Sequence, residues 1–313
     1  MTSPFNILDP KRLKPDEHHA AERRTALAAR SLPPTLGNHR EAAKHYIPDP
    51  DLVDAVNVAM AVGAPLLLTG EPGTGKTQLA HYLAAYFGIE EQLFTLFVRS
   101  TTTADDLLYR FDAVSYLRTA QDKHSSPEDR APEKHITPGP LWKAYETDGP
   151  SVVLIDEVDK APRDFPNDLL NVLDQHRFPV PELDQEISRK HQSPPVVIIT
   201  SNSERRLPEP FLRRCIFHHI QFTPELVRTA VASRIKDFPN LDHQVREAAI
   251  TRFLELRGKE IRKKPATAEL LVWLTVLATR DGIRVGDISD PPLSKLPALS
   301  SLIKDREDMQ LLR

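Results

Sequence analysis

Gly70-Glu71-Pro72-Gly73-Thr74-Gly75-Lys76-Thr77 decides how this 313-residue chain is read. It follows the apolar run Pro65-Leu66-Leu67-Leu68-Thr69 and opens an amphipathic segment from Gln78 to Phe87. Strand, glycine-rich loop and helix in that order form a phosphate cradle. The spacing G-x-x-x-x-G-K-T is met at every fixed position. Its glycines let successive backbone N–H groups turn toward phosphate oxygens. Lys76 would reach the β- and γ-phosphates, and the Thr77 hydroxyl would sit on Mg²⁺. The helix that follows points its positive N-terminal end at the same anion. Gly70 through Gln78 are therefore the expected phosphate-contacting set, and the chain is expected to bind a nucleoside triphosphate.

Composition narrows what such a site could serve. With 41 basic against 44 acidic residues the formal net charge is −3, which is no electrostatic footprint for nucleic acid or a membrane surface. Proline is frequent, at 28 residues against an average near 5 %, and glycine is scarce, at eleven. The single Cys215 cannot form an internal disulfide, which fits a reducing compartment. No apolar stretch is long enough to span a bilayer, and the N-terminus has no hydrophobic signal core. The expectation is a soluble, cytoplasmic protein.

Working outward from the loop, the N-terminal side reads as an arm over residues 1–44, partly ordered, with helical composition from Asp16 to Arg30. Helix follows from Asp51 to Val62, capped by Asp49 or Asp51, with Leu52, Ala55, Val56, Ala59 and Met60 at helical spacing. On the other side, Leu93 to Val98 reads as a second buried strand, and a short helix starts at Asp105. Arg118 to His135 is polar and reads as a long loop, then Ile136 to Trp142 turns back into helix. Val152-Val153-Leu154-Ile155 and Val196-Val197-Ile198-Ile199 are continuous apolar runs of strand length, as in a parallel sheet covered on both faces. A helix over 164–176 and a hairpin within 178–194 lie between them, and Ile216 to Phe222 is the last strand. Beyond Pro224 the pattern is helical over 225–237, 243–256 and 267–279, followed by a proline-rich connection over 283–298 and a closing helix over 299–312. The expected architecture is α/β, a central parallel sheet flanked by helices, with a small all-α domain after it. The expected divisions are the arm at 1–44, the α/β core at 45–222 with an insert at 111–136, a helical lid at 223–282 and a tail at 283–313.

An NTPase also needs a carboxylate on the metal side and a group that activates water. Asp156 ends the strand Val152–Ile155, where sites of parallel sheets lie, and Glu157 is beside it. A hydrophobic run ending in Asp-Glu fits one metal-side carboxylate and one general base. Thr200-Ser201-Asn202 ends the next strand, where a neutral amide could polarise the water or contact the γ-phosphate. Arg213 and Arg214 lie after Pro208 and Pro210, and arginines that reach the γ-phosphate stabilise transition-state charge.

Taken in order, these segments resemble the AAA+ ATPases, most closely their MoxR branch. Residues 70–77 are similar to the family's Walker A motif, 152–162 (VVLIDEVDKAP) to Walker B and its continuation, and 200–202 (TSN) to sensor 1. Residues 136–142 (ITPGPLW) resemble the branch's turn before that strand, and 207–215 (LPEPFLRRC) the segment that carries an arginine finger. The resemblance covers about residues 46–280. It implies a P-loop fold in which Lys76 and Thr77 bind phosphate and Mg²⁺, Asp156 helps hold the Mg²⁺ shell, Glu157 activates water and Asn202 senses the phosphate. It also implies that Arg214, or its neighbour Arg213, serves the nucleotide of an adjacent subunit in a homo-oligomeric ring, in this family usually a hexamer. Tyr46 and Ile47 fall where such proteins pack the adenine of ATP or ADP, and 111–136 falls where the branch carries an insert facing the ring pore. The family's sensor 2 arginine has no counterpart just after Pro265, where the sequence reads Arg262-Lys263-Lys264-Pro265-Ala266-Thr267. The resemblance implies a Mg-dependent, chaperone-like remodelling ATPase, and relatives in the branch often work with a protein bearing a von Willebrand factor A domain. A nucleic-acid motor, a nucleotide-ordered switch and a small-molecule kinase are the alternative functions.

Overall fold

The computed structural model describes residues 20–28, 38–122, 124–280 and 282–312, which form two compact units. One comprises residues 48–71 and 75–221. The other comprises 222–312 together with the described part of 1–47 and the loop tip Pro72–Thr74.

The first unit is built on nine strands. β1 (Leu66–Gly70), β2 (Leu93–Phe97), β5 (Val152–Asp156), β8 (Val196–Ser201) and β9 (Ile216–Ile220) make the central sheet; β3 (Tyr109–Phe111) with β4 (Ile136–Pro138), and β6 (Arg177–Val180) with β7 (Gln185–Ser188), make two small hairpins. The central sheet is wholly parallel, in the order β2-β5-β8-β1-β9. The two apolar runs read from the sequence become adjacent strands, with Leu154 opposite Ile198 and Ile155 opposite Ile199. Every residue of β1 and β5 is buried, because helices cover both faces and successive side chains alternate between them. Val153, Ile155, Val197 and Ile199 meet Leu141, Trp142, Phe165 and Leu169 in one core. The helix Lys76–Tyr86 packs against β1, β5 and β8, burying Leu79 and Leu83. Each fully buried leucine is worth about 1.5–3 kcal/mol relative to exposure.

Two helix boundaries owe their form to local chemistry. Asp49 caps Pro50–Val62 by accepting from Leu52 N at 2.8 Å, and Gly63 ends it in the left-handed region at φ 67°. A helix between β3 and β4, Ala113–Gln121, runs into the start of the stretch from Arg118 to His135 expected as one long loop. Asp112 caps this helix through Ser115 N at 2.9 Å. Its apolar residues Val114 and Leu117 are exposed, and none of its residues is buried.

The helical unit contains Pro224–Ala232, His243–Arg257 and Thr267–Ala278 around a core that includes Phe238, Phe253, Leu270, Trp273 and Leu274. The expected helix over 225–237 stops at Ala232 and resumes only as a 3-10 turn at Ile235–Asp237. The expected closing helix over 299–312 is likewise divided, into a 3-10 turn at Leu299–Ser301 and a helix at Arg306–Leu311 that Asp305 caps. Residues 283–298 do more than connect. Ile288, Leu293 and Leu296 are buried in the same core, and Trp273 Nε1 donates to Pro297 O at 2.7 Å.

Candidate active site

Parallel strands end on the same edge of their sheet, which is why residues far apart in sequence meet here. β1 ends at Gly70, β5 at Asp156 and β8 at Ser201, on three neighbouring strands. Immediately beyond those ends lie the glycine-rich loop, Glu157 and Asn202.

The loop takes the backbone its glycines permit, with Gly70 at φ 147°, Gly73 at 75° and Gly75 at 97°. Lys76 is the first residue of its helix and only 6 % exposed. Its ammonium donates to Gly70 O at 2.8 Å and Glu71 O at 2.9 Å, so it is folded back over the loop. Burial holds its pKa below the ordinary lysine value, and the carboxylates of Asp159, Asp156 and Glu157 oppose that shift.

Five residues then form one hydrogen-bonded chain. Thr77 Oγ1 donates to Asp156 Oδ1 at 2.8 Å, and Thr200 Oγ1 donates to the same oxygen at 2.7 Å. Thr200 Oγ1 in turn accepts from Glu157 N at 2.8 Å. Asn202 Nδ2 donates to Glu157 Oε1 at 3.0 Å. Glu157 itself is left-handed, at φ 61° and ψ 52°, an uncommon conformation for a side chain of its size. Thr77 Oγ1 and Asp156 Oδ1 are neighbouring hard oxygens, the donor type that Mg²⁺ takes alongside phosphate and water. They fit that ion.

The residue-by-residue reading named Asp156, Glu157 and Asn202 and gave no role to three neighbours. Thr200 joins both carboxylate-bearing residues, as described. Asp159 is buried, and its carboxylate accepts from Asn202 N at 3.1 Å and Glu204 N at 3.0 Å. Lys160 Nζ is bonded to Glu157 Oε2. The signal for all three lay inside quoted motifs, as Thr200 of TSN and Asp159-Lys160 of VVLIDEVDKAP. The register between β5 and β8 gives Thr200 and Asp159 their partners, and the turn after Glu157 gives Lys160 its own.

Arg213 and Arg214 stand apart from this chain of contacts. Both are exposed, with Arg213 3.4 Å from Glu209 and Arg214 3.7 Å from Asp174. Tyr46 and Ile47 belong to the other unit, where Ile47 is 59 % exposed. The Cys215 thiol is pushed up to about 12, chiefly by burial and also by Asp174, which keeps it protonated and unreactive.

Residues 65–215 match the family model described as AAA domain (dynein-related subfamily). Among curated proteins, the chain is 27 % identical over 237 residues to the uncharacterized protein YehL of Escherichia coli K12, covering 72 % of this chain and 61 % of that protein. It is 39 % identical over 116 residues to chaperone protein ClpB 1 of a Nostoc species, covering 36 % of this chain and 11 % of that one. The chain thus spans about three fifths of the first relative's length and about a tenth of the second's. A solved structure, a candidate ATPase from Cytophaga hutchinsonii, aligns over 86 % of this chain and 81 % of its own at 14 % identity and a TM-score of 0.38. Among the described residues no helix is long and apolar enough to cross a membrane.

Proposed function

We propose, from the AAA domain that occupies residues 65–215, that this chain is a Mg-dependent ATPase of the AAA+ type that remodels a protein partner. The observation that carries the reading is the bonded series from Thr77 through Asp156, Thr200 and Glu157 to Asn202. A carboxylate that holds a metal shell and a second one free to take a proton must be kept apart in role. Here Asp156 is engaged by two hydroxyls, while Glu157 is reached by side chains at its carboxylate tip.

In the proposed reaction Glu157 takes a proton from water as the water oxygen bonds to the γ-phosphorus and the bond to the β,γ-bridging oxygen breaks. The Asn202 amide orients the Glu157 carboxylate. Lys76 exchanges its two loop carbonyls for oxygens of the β- and γ-phosphates, at little cost because both arrangements satisfy a buried ammonium. Thr77 and Asp156 would hold Mg²⁺, which supplies charge neutralisation on the phosphate oxygens. Arg213 or Arg214 serves the nucleotide of an adjacent copy, which makes the working form a ring, a hexamer by the resemblance to the MoxR branch. That resemblance also points to a partner with a von Willebrand factor A domain and to Tyr46 and Ile47 packing the adenine, while the single cysteine fits a cytoplasmic setting.

Glu157→Gln keeps the shape of the side chain and removes the base. It should lower ATP turnover by at least about a hundredfold, within the range that positioned acid–base catalysis supplies, while ATP affinity in equilibrium dialysis stays near the wild-type value. Unchanged turnover in that variant would reject the assignment.

A further inference from the structure

The tip of the phosphate loop, Pro72–Thr74, packs as part of the helical unit, with residues 222–312. The contact that ties it there is close. Gly73 is left-handed, at φ 75°, and a Cβ built on it would stand 2.5 Å from the Ala266 Cβ. The same Cβ would stand 3.6 Å from the amide nitrogens of Thr267 and Ala268. Carbon atoms in ordinary contact are about 3.5–4.0 Å apart. Only the bare Cα of a glycine therefore fits against the Ala266 methyl.

Ala266 is itself firmly held. It is the last residue before the helix Thr267–Ala278, extended at φ −98° and ψ 174°, and only 8 % exposed. Its N–H donates to Glu269 Oε2 at 3.0 Å, and its carbonyl accepts from Leu270 N at 3.2 Å. The carbonyl of Pro265, just before it, accepts from the Arg257 guanidinium. Further back, Asp308 accepts from Arg262 N at 2.8 Å and Lys263 N at 3.0 Å. The Ala266 methyl is thus a fixed wall. The loop, whose glycines leave its backbone free to pivot, is the softer partner. A wall against one side of that loop removes freedom that phosphate binding would otherwise have to remove.

Resting on the ATPase reading, we propose that Ala266 is a positioning residue whose methyl sets the tip of the phosphate loop and with it the affinity for ATP and ADP. It acts through Gly73 and touches no phosphate in this role. Both nucleotides respond alike, because the α- and β-phosphates that the loop amides cradle are common to them. The position just after Pro265, where the family's sensor 2 arginine has no counterpart, thereby has a different task. It shapes the loop instead of meeting the γ-phosphate.

Equilibrium binding of ATP and ADP to the full chain, steady-state turnover and thermal melting test this together. Ala266→Gly removes the wall and leaves the helix start intact, since glycine serves in that place at least as well as alanine. It should weaken ATP and ADP equally, about three- to fivefold, the scale of one buried methyl. KM should rise by the same factor, while kcat and the melting midpoint without nucleotide stay near wild type. Gly73→Ala presses a methyl onto the wall and should lose most of the nucleotide affinity. Adding Ala266→Gly to it clears the collision and should restore affinity by at least about fivefold, with the left-handed strain at residue 73 remaining. Such rescue is expected only of residues that meet. If wild type binds ATP and Ala266→Gly binds both nucleotides as tightly, or loses ATP alone, the positioning role is overturned while the ATPase reading stands. A loss of affinity accompanied by a fallen melting midpoint marks a merely structural role and overturns it too, as does a double variant no tighter than Gly73→Ala. A wild-type chain that binds neither nucleotide would bring down the positioning role and the ATPase reading together.

Discussion

Thr200 shows how much one hydroxyl can carry. It donates to Asp156 Oδ1 and accepts from Glu157 N, and it is fully buried, so water cannot replace it. Thr200→Val conserves volume and removes both bonds. The Glu157 amide would lose its partner and Asp156 Oδ1 would keep only Thr77, at about 1–3 kcal/mol for the orphaned amide. Turnover should fall by roughly tenfold or more, since each 1.4 kcal/mol lost in the transition state is a factor of ten, and thermal melting should drop in parallel. A variant with native melting and native turnover would show the bridge to be idle. At this scale Asp156, Glu157 and Asn202 were legible because their types follow strands in a recognisable order. Thr200 and Asp159 were not, because a hydroxyl and a carboxylate in those places mean nothing until the neighbouring strand supplies a partner; Lys160 was not, because its bond to Glu157 depends on the left-handed turn between them.

Among the elements, the short helix Arg306–Leu311 has a consequence out of proportion to its six residues. Its Asp308 is fully buried and accepts from Arg262 N at 2.8 Å and Lys263 N at 3.0 Å. It thereby pins the segment that leads into Thr267–Ala278. Arg257 holds the same segment from the other side through Pro265 O, its guanidinium 3.5 Å above the Phe222 ring. Glu269 caps the helix by accepting from Ala266 N at 3.0 Å. Asp308→Ala would leave two backbone donors buried and should cost about 2–5 kcal/mol. In a unit of this size that lowers the melting midpoint by on the order of 10 °C or more, measurable by calorimetry. Hydrogen exchange should locate the loss at residues 259–266. A midpoint shift below 2 °C would contradict the pinning role. Charge and spacing showed a basic run before a helix; nothing in them signals an acidic residue some 45 positions later that holds its amides.

For the molecule as a whole, the proposed ring turns on two arginines whose present bonds are weak. Arg213 and Arg214 are exposed and sit 3.4 and 3.7 Å from single carboxylates, pairs worth about 0–1 kcal/mol. Either could be given up for a phosphate at small cost. The double variant Arg213→Ala/Arg214→Ala should keep ATP binding and lose turnover by roughly a thousandfold, the scale of an arginine supplied to the γ-phosphate. Sedimentation with ATP and Mg²⁺ should show wild-type assembly above the monomer. A strict monomer whose turnover survives the double substitution would rule out shared sites. The near-neutral net charge gives no reason to expect nucleic acid as the ring's substrate.

The sequence by itself determined the phosphate loop, the parallel sheet and the change to all-helical structure after Pro224. Each rests on a local rule: fixed glycine spacing, uninterrupted apolar runs of strand length, and apolar residues at helical intervals. Only the tertiary structure decided what engages the base. The register that sets Ile155 beside Ile199 brings Thr200 and Asn202 to Asp156 and Glu157, and the left-handed turn returns Lys160 to Glu157. Those contacts depend on strand order and on one backbone angle. Neither leaves a periodic mark in the chain, so the Gly70–Thr77 loop could announce a nucleotide but not the contacts that gather around Glu157.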